Sequence, residues 1–519
     1  MGKRIETKIN QFDGGMVNDP RDPSTNTARV ISNFDIFTDP HRMIPYYSGE
    51  SGDSAPTTSV KKNFAIGLWT ASTPDEYRLF ALGKQSGLDR AEILMKTLTT
   101  GGATDLGDNT WATPAGNQAG QNTPNYNLFV YYAKTGKFYG AHTGTHIWAF
   151  TPDGSTAFAD TAESLTYTEV YQGLVHSKDD VLYIPYFYDG GGTATSVVSA
   201  IASKNGAGAL NATALSLPKQ YKPISICERG NYLAIACAPV SGVGKSVVFL
   251  WDRDSVTWNE TYDWGEGIIK IIEEVDGVLV GISLSADSTR VKGRVIFRYL
   301  SGSQAIKFRE FIGGTSTQLS TAKQKINNRL YFMMSISLNG ATREGVWSVG
   351  RNTLGSPFSV VHERTSNNDT ATNITLYNFF FAGDYLFNSH SDAGVDNLTK
   401  TDNAEAYSAT SIWESKRFNP GGLGNAGKLI GVTVSTDYLP ANGQVILKYR
   451  KNEETSWTTT IFTNTTNDSI SYDAVNIEST GANLPDYDEI EFRIESTGGA
   501  VITGFSFVTE IIDSGKYQK

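Results

Sequence analysis

The stretch Glu274-Val275-Asp276-Gly277-Val278-Leu279-Val280-Gly281 decides the fold, together with the apolar run Arg294-Val295-Ile296-Phe297-Arg298 that follows it. An Asp-Gly pair between two short apolar runs is a strong signal for a tight hairpin turn. The runs are rich in β-branched residues, which favour strands. The pattern therefore predicts a β-hairpin followed by a further strand.

The same unit recurs along the middle of the chain, each time with an apolar anchor residue in the strand after the turn. The seven anchors are Leu79, Phe138, Leu182, Leu233, Leu279, Leu330 and Leu386. Neighbouring anchors lie 44 to 59 residues apart. A period close to this length, with hairpins in every unit, is typical of a β-propeller, whose small sheets cover their faces by stacking around an axis.

Turn residues precede several anchors at equivalent positions, namely Glu228–Asn231, Glu274–Gly277, Lys325–Asn328 and Ala382–Asp384. The alternative is a series of unrelated β-sandwiches, which would show no fixed period. No Trp-Asp or kelch signature recurs. We therefore predict an all-β protein with a β-propeller of about seven blades.

The two ends of the chain differ from the repeat. Residues 1–60 are predicted to form an extended arm with one or two strands that closes the ring or docks on a neighbour. Residues 61–405 form the propeller, and residues 406–519 form a β-sandwich or jelly roll with about seven strands. The segment Glu489–Ile494 alternates polar and apolar residues, so its polar side chains are expected to face outward.

Composition narrows the possible functions. The formal net charge is −10 and no long basic run occurs, which disfavours a phosphate-neutralising surface for nucleic acids. The first residues contain no apolar segment of the signal-peptide type, and no run long enough to span a membrane occurs, so neither is expected. Cys227 is predicted to face Ala234 across a hairpin rather than Cys237, which indicates two reduced core thiols.

Three patterns suggest sites and are each better explained as structure. Gly242–Ser246 looks like part of a P-loop but lacks the first glycine and precedes a strand, so we expect a hairpin loop. His142 and His146 would lie about 13 Å apart in an extended strand, too far to share a metal without a turn.

Four acidic residues, Asp252, Asp254, Asp263 and Glu266, lie among Trp251, Trp258 and Trp264. Paired carboxylates beside aromatic rings are typical of glycosidases, but the composition also fits an ordinary strand–turn–strand. No Gly-x-Ser-x-Gly or His-Glu-x-x-His motif occurs. We therefore expect no catalytic, cofactor-binding or metal-binding residues, no cofactor, and no enzymatic activity.

The segments Gln11–Met16, Asn33-Phe34-Asp35 and Met43-Ile44-Pro45 resemble the beginning of tail proteins of tailed bacteriophages. Trp413–Phe418 is similar to the strand that opens their C-terminal β-sandwich. The order of arm, propeller and sandwich resembles that of tail nozzle proteins, although this chain is shorter than familiar nozzles. The chain could therefore be a nozzle, a tube-associated ring or a minor tail protein, and these alternatives stay open.

This resemblance implies a structural component of the phage virion tail, made in the host bacterial cytoplasm. It implies a homo-oligomeric ring, suspected to be a hexamer, that helps form the DNA exit channel and through which phage DNA passes during ejection. Other tail proteins, such as an adaptor or fibre, would be its partners. The alternative is a glycan-binding or glycan-cleaving β-propeller, either a lectin or a hydrolase.

Overall fold

The computed structural model describes most of the chain, and nearly all its regular structure is β-strand. The described residues are 3–17, 19, 21, 26–46, 50–51, 63–68, 76–84, 91–99, 124–142, 146–152, 159–285, 293–314, 316–352, 355–366, 374–382, 385–392, 395–401, 407, 410–420, 426–452, 454–457, 459–465, 472–476 and 486–512. No helix in these ranges is long and apolar enough to cross a membrane.

The chain forms two compact units, each assembled from separate stretches of sequence. The ring unit comprises Glu50–Ile336 and Ala371–Lys400. The terminal unit comprises Met1–Gly49, Ser337–Thr370 and Thr401–Lys519. These units differ from the predicted division into an arm (1–60), a propeller (61–405) and a sandwich (406–519), each a continuous stretch. The boundaries of that division stay a prediction.

Strands that follow one another in the chain pair into small antiparallel sheets in the ring unit, and the sheets are numbered here in chain order. Sheet 1 contains Asn63–Leu68, Glu76–Lys84 and Ala91–Thr99; sheet 2 contains Pro124–Tyr132, Lys137–His142, His146–Phe150 and Ala159–Ser164; sheet 3 contains Glu169–Val170, Leu174–His176, Val181–Tyr188, Val198–Lys204 and Asn211–Ser216. Sheet 4 contains Tyr221–Arg229, Tyr232–Pro239, Lys245–Trp251 and Glu260–Glu266; sheet 5 contains Ile268–Val275, Val278–Ser285, Arg294–Ser301 and Gln304–Ile312; sheet 6 begins with Gln318–Ile326 and Arg329–Leu338; sheet 7 contains Thr375–Ala382, Tyr385–Asp392, Val395–Thr401 and Glu50–Ser51.

These sheets close into a ring. The first strand of each sheet lies beside the first strand of the next, except that Leu174–His176 and Val181–Tyr188 of sheet 3 lie beside Tyr221–Arg229 of sheet 4, and sheet 7 returns to sheet 1. Glu50–Ser51 precedes sheet 1 in the chain but pairs with Val395–Thr401, so it completes sheet 7. The predicted β-propeller of about seven blades is therefore confirmed, and two residues of the N-terminal segment have the expected ring-closing role.

All seven anchor residues lie on the strand that pairs with the first strand of their sheet. The turn before Leu279 has positive φ at Asp276 (50°) and Gly277 (74°), and the turn before Leu330 has positive φ at Asn327 (47°) and Asn328 (61°). Two consecutive residues with positive φ characterise the type I′ hairpin, which is why Asp, Asn and Gly recur there. The turn at residues 383–384 lies outside the described residues.

The cysteine register is confirmed. Cys227 pairs with Ala234, and Cys237 pairs with Pro223 instead. Both thiols are free and buried, and burial raises the pKa of each.

On the inner edges of the described first strands, side chains rather than a further strand form hydrogen bonds with backbone N–H and C=O groups. The amide of Gln172 donates to the carbonyl of Phe129 (2.9 Å) and accepts from its N–H (3.1 Å). Gln324 makes the same pair of hydrogen bonds with Phe381 (3.1 and 2.7 Å), and Gln318 does so with sheet 7. A carboxamide thus takes the place of a strand, because buried backbone groups need partners.

Lys323 joins three sheets inside the ring. Its ammonium donates to the carbonyls of Ile226 (2.7 Å) and Ile272 (2.6 Å) and to Glu273 Oε2 (2.8 Å). The charge is therefore placed against backbone oxygens that the sheets leave unpaired.

The terminal unit contains two larger sheets. One has the order Arg4–Ile9, Ile502–Ile512, Ala426–Thr436 and Tyr472–Asn476, with Asp486–Tyr487 beside Ala426–Thr436. The other includes, in order, Ala341–Gly350, Ser359–Thr365, Val30–Ser32, Ser411–Glu414, Ile490–Thr497, Gln444–Lys451 and Thr459–Asn464. Phe34–Asp35 pairs with Ile44–Pro45.

Aromatic rings join the two terminal sheets. Trp413 lies 5.5 Å from Phe505 between ring centroids, and Phe418 lies 4.8 Å from Phe507. Phe12 packs edge-on against Trp413 at 6.2 Å. The predicted C-terminal β-sandwich is therefore confirmed, and part of the N-terminal arm belongs to its core.

One expectation for the sandwich is wrong. Glu491 was expected to face outward, but its side chain is only 3% exposed. It accepts from Arg417 Nε (2.5 Å) and Arg450 Nε (3.0 Å), and it pairs with Arg29 (3.5 Å). Arginines from distant parts of the chain cover this face of the strand, which alternation within the strand cannot reveal.

Candidate functional site

The acidic and tryptophan-rich segment of sheet 4 is a turn rather than a pocket. Asp252 Oδ1 accepts from the N–H groups of Ser255 (2.8 Å) and Asp254 (3.1 Å), and Oδ2 accepts from Asn259 Nδ2 (2.9 Å). These bonds, chiefly that from the Ser255 N–H, lower the pKa of Asp252. The carboxylate therefore shapes the connection between two strands.

The neighbouring tryptophan and aspartate side chains are likewise buried in the protein or bonded to other residues. Trp251 is buried and donates its indole N–H to the Ser255 carbonyl (2.7 Å). Trp264 is buried against Gly281, and Asp263 pairs with Lys245 (2.8 Å). The structural interpretation of this segment fits these contacts better than a glycosidase site does.

The two other patterns also lie in hairpins. Residues 240–244 connect Tyr232–Pro239 to Lys245–Trp251, so the P-loop-like segment is the expected hairpin loop. Lys137–His142 and His146–Phe150 pair antiparallel, so the two histidines belong to neighbouring strands, and residues 143–145 between them lie outside the described residues. The side chain of His142 lies outside the described residues. Across the described part of the chain, no group of three or more metal-ligating side chains occurs.

A different set of residues meets at one end of the ring, and we call Glu169, Tyr171, Lys222 and Lys270 the ring-end cluster. They lie at the beginnings of the first strands of sheets 3, 4 and 5, with Tyr171 directly after its strand. Lys222 Nζ lies 2.8 Å from Glu169 Oε1 and 3.0 Å from Oε2. The Tyr171 hydroxyl donates to Glu169 Oε2.

The cluster is partly open to solvent. Glu169 is 34% exposed and Lys222 is 23% exposed. Tyr171 is buried, and its burial and the Glu169 carboxylate raise the pKa of the phenol. The hydroxyl therefore remains a hydrogen-bond donor to the carboxylate at neutral pH.

Lys270 is the member with spare bonding capacity. Its amine has no hydrogen-bond or ion-pair partner in the described part of the cluster, and the residue is half-buried. Burial lowers the pKa of Lys270, repulsion from Lys222 lowers it further, and Glu169 opposes both effects. A desolvated amine beside a carboxylate is a common feature of binding sites.

An apolar floor lies under the cluster. The Tyr171 ring packs with Ile224, Ala238 and Ile268, which come from sheets 4 and 5. Apolar surface with a few convergent polar groups is the usual composition of a small-molecule site. The arrangement offers one donor amine and one acceptor carboxylate to a ligand, and Ile268 is the partly exposed member of the apolar floor beside them.

Sequence reasoning missed the ring-end cluster. Its residues are 2 to 101 positions apart, and none forms a motif with its neighbours. A usable signal exists, because polar residues occur near the start of the first strand in several successive units of the repeat. In a propeller the first strands of successive sheets are neighbours, so a sequence period of this kind places these polar residues close together.

No protein-family model matches the chain, and no curated protein matches it by sequence. Solved structures do match. An exo-β-1,3-galactanase from Phanerochaete chrysosporium has 9% identity and a TM-score of 0.32, over 89% of this chain and 99% of that one. A lectin from Aleuria aurantia has 14% identity and a TM-score of 0.32, over 59% and 98%. A sialidase from Trypanosoma rangeli has 11% identity and a TM-score of 0.31, over 98% and 96%.

One expectation has to be corrected at this point. The chain was expected to have no enzymatic activity, and that expectation is contradicted, because the matching structures include a galactanase and a sialidase. That expectation rested on the lack of catalytic motifs together with the resemblance to structural tail proteins. A propeller can assemble a site from loops that are far apart in the chain, so missing motifs decide little.

Proposed function

We propose that the protein is a glycan-binding or glycan-cleaving β-propeller whose ligand contacts the ring-end cluster. The observation that carries this proposal is the half-buried side chain of Lys270, which makes no hydrogen bond or ion pair in the described part of the ring-end cluster and follows Ile268 of the apolar floor by two residues. A sugar offers hydroxyl groups to the polar atoms and the carbon–hydrogen face of its ring to Ile268, the partly exposed member of the floor. Both kinds of contact are typical of a ligand site.

Cleavage places a further demand on the site. Most glycosidases use two carboxyl groups, about 5 to 9 Å apart, that flank the bond to be broken. Glu169 supplies one carboxylate to the cluster. Hydrolysis is therefore a separate arm of the test, in which each bound glycan is incubated with the protein and newly formed reducing ends are measured.

Binding is tested first with the purified full chain on a glycan array, followed by calorimetry on the glycans that bind. The variant Lys270→Met removes the amine and keeps most of the aliphatic side chain. We expect its affinity to fall about 10- to 100-fold, since a hydrogen bond from a charged group contributes about 1.5 to 3 kcal/mol.

The matched control is Lys245→Met, which removes an ammonium that is 63% exposed and paired with Asp263 in the same sheet 4 that supplies Lys222. This variant should bind as the unmodified protein does. The proposal fails if no glycan binds, or if the two variants weaken binding equally.

We also propose, as a second candidate function, that the protein is a subunit of a bacteriophage tail. The segments that resemble tail proteins lie together in the terminal unit, which favours this candidate. Phe12 packs on Trp413, the Met16 N–H donates to the Val360 carbonyl (2.9 Å), and the Asn33 side chain accepts from the Thr365 N–H (3.1 Å).

Its test is the oligomeric state of the full chain in solution. Light scattering and negative-stain microscopy should show a closed ring, with a mass near six copies, and antibodies should detect the protein in purified virions. A monomer at all concentrations would contradict this second candidate and leave glycan binding untouched.

A further inference from the structure

The charges of the ring-end cluster do not balance. Lys222 pairs with the single carboxylate, Glu169, and Lys270 lies on the first strand of sheet 5, two residues after Ile268, which packs against the group that contains Tyr171. That carboxylate is already engaged, because Lys222 contacts both of its oxygens and Tyr171 donates to one of them. The Glu169 carboxylate is therefore already bonded to other donors, and Lys270 forms no ion pair with it.

A desolvated ammonium with no close counter-charge is costly, and a bound anion relieves the cost. Burial and the repulsion from Lys222 both disfavour the charged form of Lys270 and lower the pKa of its amine. A neutral ligand leaves this situation nearly unchanged. An anionic group that binds near Lys270 improves it, and the gain is largest where water is partly excluded.

We propose that the ring-end cluster prefers acidic sugars, and that Lys270 binds an anionic group of the ligand. The inference rests on the glycan function proposed above and deepens it. The anionic group is a carboxylate, as in uronic acids, or a sulfate ester. Both offer oxygen acceptors with negative charge to an ammonium donor.

The apolar surface beside the cluster sets the orientation of the sugar. Ala238 belongs to the floor, and the loop 240–244 follows its strand. The Val240 N–H donates to the Gln220 carbonyl (2.9 Å), which fixes the loop next to the strand that carries Lys222. Val243 in this loop is 79% exposed. The carbon–hydrogen face of the sugar would lie against Ile268, the partly exposed member of the floor, with its anionic group toward Lys270.

The experiment is calorimetry on the full chain with three oligosaccharides of equal length: neutral galactan, oligogalacturonate and sulfated galactan. We expect at least one acidic ligand to bind about tenfold or more tightly than the neutral one, which corresponds to one additional charged contact. Comparison of the two acidic ligands distinguishes a carboxylate from a sulfate. The preference should shrink at high salt, because ions screen a partly exposed pair.

Two variants separate the role of Lys270 from a merely structural one. Lys270→Met should make the affinities for acidic and neutral ligands about equal. Lys245→Met should keep the preference. A structural role would change the melting temperature of Lys270→Met while leaving the ratio of the two affinities as it is.

The outcomes are distinguishable from those of the proposed function. Equal affinity of the unmodified protein for neutral and acidic ligands overturns the acidic preference and leaves glycan binding standing. A preference that survives in Lys270→Met overturns the role of Lys270. Binding of none of these ligands, together with a blank glycan array, overturns both proposals.

Discussion

The ring unit and the terminal unit are both built from antiparallel sheets, but they draw on the chain in opposite ways. The described strands of the ring unit pair with strands that are close in the chain, and the pairing of Glu50–Ser51 with Val395–Thr401 is the long-range exception. The terminal unit pairs Arg4–Ile9 with Ile502–Ile512, and Val30–Ser32 with Ser411–Glu414. Local pairing leaves a periodic trace in the sequence, whereas pairing across the whole chain leaves none.

Their polar interiors also differ. In the described part of the ring unit, neutral glutamines and the ammonium of Lys323 satisfy the inner strand edges. The terminal unit buries a carboxylate, Glu491, among three arginines. Removal of one partner from a buried ionic network leaves other charges unpaired, so the terminal unit should be the more sensitive of the two to single substitutions.

The largest effect is expected for Glu491→Leu. Arg29, Arg417 and Arg450 would lose their shared carboxylate, and removal of one member of such a network costs about 3 to 5 kcal/mol. Urea unfolding should show the loss, and limited proteolysis with mass spectrometry should locate it in the terminal unit. Glu6→Leu is the control, since Glu6 is 49% exposed, and should change stability by less than about 0.5 kcal/mol.

A smaller effect is expected for Lys323→Met in the ring unit. The variant leaves two backbone carbonyls and Glu273 without their donor, and we expect a loss of about 2 to 3 kcal/mol. Thermal unfolding measures it. Lys325→Met, two positions away and exposed, is the matched control. Equal effects of the two substitutions would refute the bridging role of Lys323.

The terminal unit should also weaken in acid through His362. Its Nδ1 accepts from the Ser32 hydroxyl (2.8 Å) and its Nε2 donates to the Glu344 carbonyl (2.9 Å), which fits the neutral ring. Burial lowers the pKa of His362 to about 3, below the value of about 6.5 for an unfolded chain.

Between those pH values the unfolded chain therefore binds a proton at this site that the folded chain does not, so stability falls as pH decreases from about 6.5 toward 3. At pH 5 the loss should be about 2 kcal/mol. Unfolding free energies measured from pH 7 to pH 5 should show this slope, and His362→Gln should flatten it. An unchanged slope in the variant would assign the effect to other groups.

The smallest effect is expected at the hairpin turns. Gly277 has a φ of 74° with open space around the position of a Cβ atom, so Gly277→Ala should cost about 1 kcal/mol through backbone conformation alone. Gly314 also has open space but no positive φ, and Gly314→Ala should be neutral. Denaturation midpoints compare the two variants, and a neutral Gly277→Ala would contradict the type I′ assignment.

Much of the ring unit could be predicted because each of its sheets forms mostly from strands that are close together in the sequence. Asp276-Gly277 specifies a turn that only residues tolerant of positive φ can form, and Leu279 lies two positions further on in the buried second strand. The exposure of Glu491 was mispredicted for the opposite reason. The arginines that cover it, such as Arg29, are hundreds of residues away, so alternation in the strand carries no information about them.

The sequence by itself determined the β-propeller, its seven anchored strands, the hairpin register of Cys227 and the strands of the terminal sandwich. These features follow from turn chemistry and from short-range alternation of apolar residues. Only the tertiary structure decided which strands of the arm enter the sandwich, where Lys323 finds its acceptors, and that Glu169, Lys222 and Lys270 lie together. Those contacts join residues that are far apart in the sequence, and the folding of the whole unit, not their sequence neighbours, brings them together.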